Sequence, residues 1–356
     1  MSKRHYIIPL FVPHEGCPHD CVFCSQFKIA TPEDNMDAQK ATKIIEEHLS
    51  TIEKSDSTIE ISFFGGTFTA IPMKKQRSLL EVAKKYKDSG RINYIRLSTR
   101  PDYINESILS HLKSYGVDII ELGVQSLDND VLKAAGRGHT AEVVYHASKL
   151  IKAYGITLGH QIMPGLPEDT PDKDIKTVKE SISMKPDICR IYPSLVIKST
   201  AMETMYHRGM YKPYGLDEAI ELCKKLYSLY YANNINVIRI GLQPTDNINL
   251  GGDIVAGPFH PAIRELVEGS LLNDMLFEAL AGFTGNFDIH INARYISKLY
   301  ADKKKYFCGI KEKLNNVKLK VILDEEIPLG EIAVVQNHSR RVLSISSYMK
   351  DIAKAL

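Results

Sequence analysis

The sequence has no apolar run of about 18 residues, the length that a membrane-spanning helix requires. It also shows no secretory signal peptide, because residues 1–6 lead directly into a strand pattern. These two absences predict a cytoplasmic protein that does not engage a membrane. A strong charge imbalance is missing too. The formal net charge of +2 permits a nucleic-acid partner but does not indicate one.

Length and composition are those of a globular protein with one large domain and a smaller one. The 356 residues are 44% hydrophobic and 25% charged, which argues against extensive disorder. Strand and helix patterns alternate in the first part of the chain, and the apolar strand patterns cover residues 6–12, 59–64, 94–97, 117–124, 156–163 and 188–197. This alternation implies right-handed crossovers and a parallel sheet curled towards a barrel, two units short of a closed one.

The pattern changes after residue 245, where a glycine-rich loop over residues 251–261 marks a boundary. Helical patterns then cover residues 261–281 and 293–314, and strand patterns cover 287–291, 317–323, 332–335 and 342–345. We therefore predict an α/β protein with a partial (β/α)6 barrel in residues 1–245. A small α+β domain follows in residues 246–356. The open side of a partial barrel could admit a large substrate.

Three of the six cysteines, Cys17, Cys21 and Cys24, lie in one loop after the first strand with the spacing C-x3-C-x2-C. Soft thiolates at this spacing select zinc, copper(I) or an iron–sulfur cluster. A zinc site needs a fourth ligand, which His14 or His19 could supply. Three buried free thiols are a further alternative. A [4Fe–4S] cluster held by three thiolates leaves one iron open to a chelating cofactor. We predict that the other cysteines, Cys189, Cys223 and Cys308, are free buried thiols rather than a second cluster.

With Phe23 at its aromatic position, the cysteine segment resembles the signature of the radical S-adenosylmethionine (SAM) superfamily. The resemblance implies a radical-SAM partial barrel, a [4Fe–4S] cluster and SAM as cofactors, with Phe23 near the SAM adenine. It also implies that the reduced cluster cleaves SAM to a 5′-deoxyadenosyl radical, which takes a hydrogen atom from the substrate. A low-potential electron donor of the flavodoxin or ferredoxin type is implied as well.

The resemblance assigns SAM contacts to residues that follow successive strands, where ligands of such folds bind. They are Gly65, Gly66, Thr67, Ser98, Gln125, Arg137 and Gln161. Paired glycines permit close approach of a ligand, although a tight turn explains them too. A guanidinium suits the SAM carboxylate, although a solvated surface arginine is the alternative at residue 137. Thr67, Ser98 and Gln161 stand where many relatives carry acidic residues.

A narrower resemblance, to the Elongator catalytic subunit and its prokaryotic relatives, is carried by residues 99–103, 123–126, 137–140, 190–200 and 209–214. It implies modification of the wobble uridine of tRNA. After residue 245 we find no acetyltransferase-like stretch and no acyl-CoA loop, so we expect the chemistry without that family's acetyltransferase domain.

Two groups of basic residues are candidates for contact with RNA. One is Lys303, Lys304 and Lys305 beside Tyr306 and Phe307, for which a solvated helix face is the alternative. The other, a candidate for substrate phosphate, comprises Lys198, Arg208 and Lys212. The function predicted from the sequence is a radical SAM enzyme that modifies a tRNA base. The alternatives are an enzyme resembling oxygen-independent coproporphyrinogen dehydrogenase and a non-catalytic cluster-binding or haem-binding chaperone. No residue is assigned as catalytic acid or base.

Overall fold

The structure is a computed structural model that describes residues 4–12, 17, 19–24, 36–52, 57–245, 247–249 and 251–356. Its strands are β1 (Arg4–Val12), β2 (Ser57–Gly65), β3 (Tyr94–Thr99), β4 (Ile119–Gln125), β5 (Thr157–Ile162), β6 (Ile188–Ile191), β7 (Val196–Ile197), β8 (Asn236–Ile240), β9 (Ile254–Ala256), β10 (Gly285–Ile291), β11 (Val317–Leu323), β12 (Glu331–Gln336) and β13 (Ser339–Ser344).

The α-helices are α1 (Ala38–Thr51), α2 (Met73–Asp88), α3 (Glu106–Ser114), α4 (Asn129–Ala134), α5 (Ala141–Ala153), α6 (Pro171–Ser183), α7 (Ala201–His207), α8 (Leu216–Ala232), α9 (Ile263–Leu280), α10 (Ile296–Leu299), α11 (Lys305–Lys313) and α12 (Ile345–Ala355). None of them, within the described ranges, combines the length and apolar character needed to cross a bilayer.

Local sequence explains where several helices begin. The carboxylate of Asp37 accepts a hydrogen bond from the Lys40 backbone N–H at 2.8 Å and caps α1. The Thr170 hydroxyl accepts from the Lys173 N–H at 3.3 Å and caps α6, whose first residue is Pro171. These caps fix the points at which the chain leaves the sheet and turns into each crossover helix.

The large sheet has seven strands in the order β1-β2-β3-β4-β5-β6-β8, and each pair from β1 to β6 is parallel. The predicted partial barrel of parallel strand–helix units is therefore confirmed. The seventh strand, Asn236–Ile240, was not predicted, because five residues are too few for a clear alternation. Residues facing the helices form the apolar core, among them Ile8, Leu10, Ile61, Phe63, Ile95 and Leu97.

The curvature of this sheet is visible in one side chain. Arg190 on β6 places its Cζ 5.2 Å from the ring centre of Phe64 on β2. Four strand spacings separate β2 from β6, which would amount to about 19 Å in a flat sheet and exceed the reach of an arginine. The sheet therefore curls so that side chains on its inner face meet across the interior.

The chain divides into two compact units, residues 1–213 with 244–257 and residues 214–243 with 258–356. In the second unit, four strands in the order β11-β10-β12-β13 pack against helices around a core that includes Leu272, Leu276, Phe287 and Ile289. Here α8 and β8 belong with the C-terminal residues. These units differ from the domains predicted as residues 1–245 and 246–356. The predicted domain boundary stays a prediction.

The prediction of one continuous helix over residues 293–314 is wrong. The segment contains α10, a 3-10 turn (Asp302–Lys304) and α11. The backbone φ angles of Asp302, Lys303 and Lys304 are 50°, 52° and 70°, so three consecutive residues are left-handed. Apolar residues keep helical spacing across this break, and side-chain periodicity carries no information on backbone handedness.

Candidate functional site

The cysteine loop is anchored by backbone hydrogen bonds to two different elements. The Val22 N–H donates to the Ala135 carbonyl at 3.1 Å, and the Met202 N–H donates to the Val22 carbonyl at 2.8 Å. Between Cys21 and Cys24 the chain makes a tight turn, in which the Cys24 N–H donates to the Cys21 carbonyl at 2.9 Å. The loop is thus held where β1 ends, between the end of α4 and the start of α7.

Phe23 contributes to this anchoring. Its half-buried ring packs against an apolar cluster made of Val131, Ala135 and Leu166. It also packs against a second cluster made of Val196, Met202 and Tyr211. The aromatic position of the cysteine segment therefore joins the loop to two separate apolar clusters.

The buried sulfur of Cys21 faces two guanidinium groups. Arg137 Nη1 lies 3.4 Å from Cys21 Sγ, and Arg100 Nη1 lies 3.7 Å from the same atom. Arg137 also donates through Nη2 to the Gly123 carbonyl at 2.6 Å. Burial lowers the pKa of Arg137, and the negative charge of a Cys21 thiolate opposes that shift. Two guanidinium groups therefore face the Cys21 sulfur, one from the end of β3 and one from the segment after α4.

Arg100 is a site residue that the sequence-based assignment missed, although it lies in the Thr-Arg-Pro-Asp-Tyr segment already noted. Its guanidinium donates to both carboxylate oxygens of Asp102 at 2.9 Å and to the Arg137 carbonyl. Burial lowers the pKa of Arg100, but the hydrogen bond to Asp102 and the charges of Asp102, Cys21 and Cys17 raise it overall. The arginine therefore joins the end of β3 to the cysteine loop.

His19, an alternative zinc ligand, is engaged elsewhere. Its Nε2 lies 3.5 Å from Asp102 Oδ2, and its ring lies so close to Gly138 that a Cβ there would overlap it. The other alternative ligand, His14, lies outside the described residues. Among the residues that the structure describes, no three His, Cys, Asp or Glu side chains are spaced to hold a metal ion. The zinc interpretation thus gains no geometric support from His19.

The glycine pair lies at the end of β2, where Gly65 is the register partner of Val12 on β1. Gly65 has a φ of 108°, and a Cβ at this position would lie 2.5 Å from the Val12 carbonyl oxygen. The position therefore requires glycine for both its conformation and its close contact. Gly66 is half-buried and Thr67 is buried at the start of a 3-10 turn. A tight turn is thus established here, and contact of these residues with SAM stays a prediction.

The ends of β4 and β5 bring Gln125, Arg137 and Gln161 together. Gln161 Nε2 donates to Gln125 Oε1 at 3.3 Å. Gln125 has a left-handed φ of 67° and lies at an irregularity in the β4–β5 register. A Cβ on Gly123 would lie 2.9 Å from Gln125 Nε2 and 3.4 Å from Arg137 Nη2, so glycine lets both side chains approach. Left-handed non-glycine residues cost about 1–3 kcal/mol and cluster at functional sites.

Ser98 lies on the inner face of the sheet among buried charges. Its hydroxyl donates to Glu121 Oε2 at 3.4 Å, and Glu121 Oε1 lies 2.9 Å from Arg190 Nε. Arg96 lies between two carboxylates, 3.5 Å from Glu121 and 3.1 Å from Glu60. We call Glu60, Arg96, Glu121 and Arg190 the inner charge network. Sequence reasoning missed it, although all four members lie between apolar residues in strands that were predicted.

Part of the site fits an iron–sulfur cluster with SAM. The donor set is soft, the facing charge is positive, and the buried Arg137 Nε has no hydrogen-bond partner among the described residues. A cluster on three thiolates carries net negative charge that the two guanidiniums would offset. The polar ends of β4 and β5 lie next to the same arginine. These residues suit a cofactor with both amine and carboxylate groups.

The basic residues proposed for RNA contact have partners of their own. Lys305 Nζ lies 2.7 Å from Asp217 Oδ1, Lys304 Nζ lies 4.4 Å from the ring centre of Tyr300, and Lys198 donates to the Gly252 carbonyl at 2.5 Å. Their contact with RNA stays a prediction, as it does for Arg208 and Lys212. One cysteine prediction is corrected: Cys189 and Cys223 are buried, but Cys308 is exposed on α11. The apolar periodicity of α11 did not show that Cys308 lies on the exposed side of the helix.

A curled parallel sheet with a three-cysteine loop and two guanidiniums at its mouth defines an iron–sulfur α/β-barrel enzyme. Residues 11–180 match the profile of the Radical SAM superfamily, and residues 186–273 match that of the Radical_SAM C-terminal domain. The chain belongs to the radical SAM superfamily. This membership confirms the predicted enzyme class and the predicted cofactors, a [4Fe–4S] cluster and SAM.

Comparisons with individual proteins agree with this family membership. The chain is 32% identical over 255 residues to the tRNA uridine(34) acetyltransferase of Methanocaldococcus jannaschii, which covers 61% of this chain and 47% of that protein. It is 30% identical over 261 residues to human Elongator complex protein 3, covering 61% and 48%. The structure of Methanocaldococcus infernus Elp3 with an N-terminal deletion aligns with a TM-score of 0.59 and 25% identity, covering 79% of this chain and 64% of that one. The matched region spans about half the length of the two curated relatives. These similarities confirm the resemblance to the Elongator subfamily.

Proposed function

We propose that Cys17, Cys21 and Cys24 ligate the [4Fe–4S] cluster in this chain. The observation that carries the proposal is the buried Cys21 sulfur between Arg137 and Arg100, at 3.4 and 3.7 Å. Two guanidiniums at this sulfur would offset the net negative charge that a cluster on three thiolates carries. When bound, the reduced cluster and SAM supply a 5′-deoxyadenosyl radical that takes a hydrogen atom from the substrate.

We assign SAM to the strand ends beside this loop. Arg137 would pair with the SAM carboxylate, because a guanidinium presents parallel N–H donors to two oxygens. Gln125 and Gln161, already joined by a hydrogen bond, would orient the adjacent part of the cofactor. The remaining assignments follow the sequence-based expectation and involve Phe23 at the adenine, Gly65, Gly66 and Thr67 at the amino group, and Ser98 near the ribose.

The proposed substrate is a uridine base of tRNA. Support comes from relatives whose names specify tRNA uridine(34) as their target, one of which aligns with 255 residues of this chain. The superfamily match over residues 11–180 contains the whole proposed site. Because the chain spans only about half of those proteins, the proposal covers formation of the radical on the base and leaves the group added unspecified. A low-potential donor of the flavodoxin or ferredoxin type would reduce the cluster, and a tRNA substrate suits the predicted cytoplasmic location.

The test is anaerobic formation of 5′-deoxyadenosine by reconstituted protein with SAM and dithionite, with and without bulk tRNA. Cys21→Ala should lose both iron and 5′-deoxyadenosine, whereas Cys308→Ala, which alters an exposed cysteine outside the loop, should retain both. The expected result for the wild type is a yield that tRNA raises several-fold.

Each failure points to a different part of the proposal. A yield that is present but indifferent to tRNA would reject the tRNA substrate and favour a small molecule. Iron binding that survives Cys21→Ala would reject the ligand assignment. A wild type that matches the Cys21→Ala yield with a full cluster would reject SAM cleavage altogether.

A further inference from the structure

Two aromatic rings lie side by side on the inner face of the sheet at the barrel mouth. Phe11 and Phe64 are register partners at the ends of β1 and β2, with ring centres 6.1 Å apart and planes tilted by 42°. Phe11 is 47% exposed. The neighbouring residues of β1, Leu10 and Val12, face the helices and are buried. An exposed phenylalanine on the inner face contributes nothing to the core beneath the sheet.

One guanidinium is fixed at the edge of this pair. Arg190 Cζ lies 5.2 Å from the centre of the Phe64 ring, where the ring face attracts a cation. The same guanidinium donates through Nη1 to the Tyr192 hydroxyl at 3.0 Å and lies 2.9 Å from Glu121 Oε1 through Nε. Three contacts therefore hold the arginine in one orientation. We call Phe11, Phe64 and Arg190 the aromatic platform.

The charge around the platform selects among ligands. The inner charge network contains two carboxylates and two guanidiniums, so its formal charges cancel. A phosphate placed here would be repelled by the two carboxylates as well as attracted by the two arginines. An acidic or basic ligand therefore gains no net attraction from the network. A flat, uncharged ring with carbonyl oxygens is favoured instead. It can stack on an exposed phenylalanine and accept hydrogen bonds from a fixed guanidinium.

The location links the platform to the proposed chemistry. Gly65 follows Phe64 directly, and Cys17 follows Phe11 by six residues, so both rings stand at strand ends that lead into the proposed cofactor site. On the basis of the proposed function, we propose that the aromatic platform receives the unstacked pyrimidine base of the RNA substrate, with Phe11 as the main stacking surface. Single-stranded bases are bound in this way in many RNA-binding proteins.

The first test measures RNA affinity with reconstituted full-length protein and a tRNA transcript, by fluorescence anisotropy. Phe11→Leu removes the ring and keeps an apolar side chain, and we expect it to raise the Kd by about 5- to 140-fold, the range that loss of one base–aromatic stack produces. Phe11→Tyr keeps the ring and should bind as the wild type does. Ile7→Ala is the matched control, since Ile7 is 41% exposed on the same face of β1 but carries no ring. Iron content and thermal unfolding verify that each variant is folded.

A second measurement locates the base directly. A tRNA transcript with 5-iodouridine at the first anticodon position is irradiated with the protein, and the cross-linked peptide is identified by mass spectrometry. An adduct on Phe11 or Phe64 supports the inference. An adduct confined to residues outside the aromatic platform overturns it.

The outcomes separate the inference from the proposed function. If wild-type protein binds tRNA and Phe11→Leu binds equally well, the platform is not the base site, while the proposed function stands. If Phe11→Leu weakens equilibrium binding of SAM without RNA, the ring belongs to the SAM site and the inference is overturned. If the wild type neither binds tRNA nor responds to it in SAM cleavage, both fail.

Discussion

Replacing Glu121 by glutamine should strongly destabilise the barrel, because it leaves buried charge in the inner charge network without its partner. The Glu121 side chain is 5% exposed and lies between Arg190 and Arg96, at 2.9 and 3.5 Å. Burial lowers the pKa of Arg190, but Glu121 and Tyr192 more than offset this and raise it overall, so the Arg190 guanidinium stays charged. Glutamine has the same shape and no charge. It leaves two buried guanidiniums facing one carboxylate, that of Glu60.

The expected magnitude follows from the cost of an unpaired buried charge. Removing one partner of a buried ion pair typically costs about 3–5 kcal/mol. For a unit of this size, 1 kcal/mol corresponds to a shift of about 2–4 °C in the unfolding midpoint, so Glu121→Gln should lower it by about 6–20 °C. Differential scanning calorimetry of the cluster-free protein measures this shift without interference from iron release.

Two further variants make the comparison specific. Glu46→Gln applies the same substitution to an exposed pair, in which Glu46 accepts from Arg91 at 2.6 and 2.8 Å, and its effect should be much smaller. Combining Glu121→Gln with Arg190→Met makes the formal charge of the network zero again, so the double variant should recover about 1–3 kcal/mol relative to the sum of the single effects. A Glu121→Gln midpoint that falls no further than that of Glu46→Gln would refute the argument, because it would mean that the network is solvated.

Three other predictions concern the backbone, the core and the cofactor. Gly65→Ala should lower the unfolding midpoint more than Gly90→Ala. Both glycines have positive φ, and an alanine in that conformation costs about 1 kcal/mol. Of the two positions, only residue 65 would also place a Cβ against a carbonyl oxygen. Equal calorimetric shifts for the two variants would contradict the prediction. Burial lowers the pKa of His160 to about 3, so the unfolded chain takes up a proton below pH 6.5 that the folded chain refuses. Stability should therefore fall as the pH drops, by about 2 kcal/mol at pH 5, and urea midpoints of His160→Gln should fall less steeply than those of the wild type. Arg137→Lys keeps the charge but loses the guanidinium fork, so the Kd for SAM in equilibrium dialysis should rise about tenfold; an unchanged Kd would remove Arg137 from the SAM site.

Much of the fold could be predicted from the sequence because its signals are local. Alternation of apolar strands with helical patterns specified a parallel sheet, and the structure pairs β1 to β6 in chain order. The cysteine spacing depends on eight positions, and it predicted the superfamily that the profile match confirms.

Other features depend on residues far apart in the chain, and only the tertiary structure decided them. Arg100 reaches the sulfur of Cys21 across 79 positions, and Arg190 meets Phe64 because the sheet curls. The break at residues 302–304 is a change of backbone handedness, which leaves the apolar spacing of the segment intact. By itself, the sequence determined the alternation of strands and helices from β1 to β6 and the soft donor set of the cysteine loop, since both follow from neighbouring residues. Curvature, backbone handedness and the charges that face Cys21 follow from packing, and packing decided which side chains share the site.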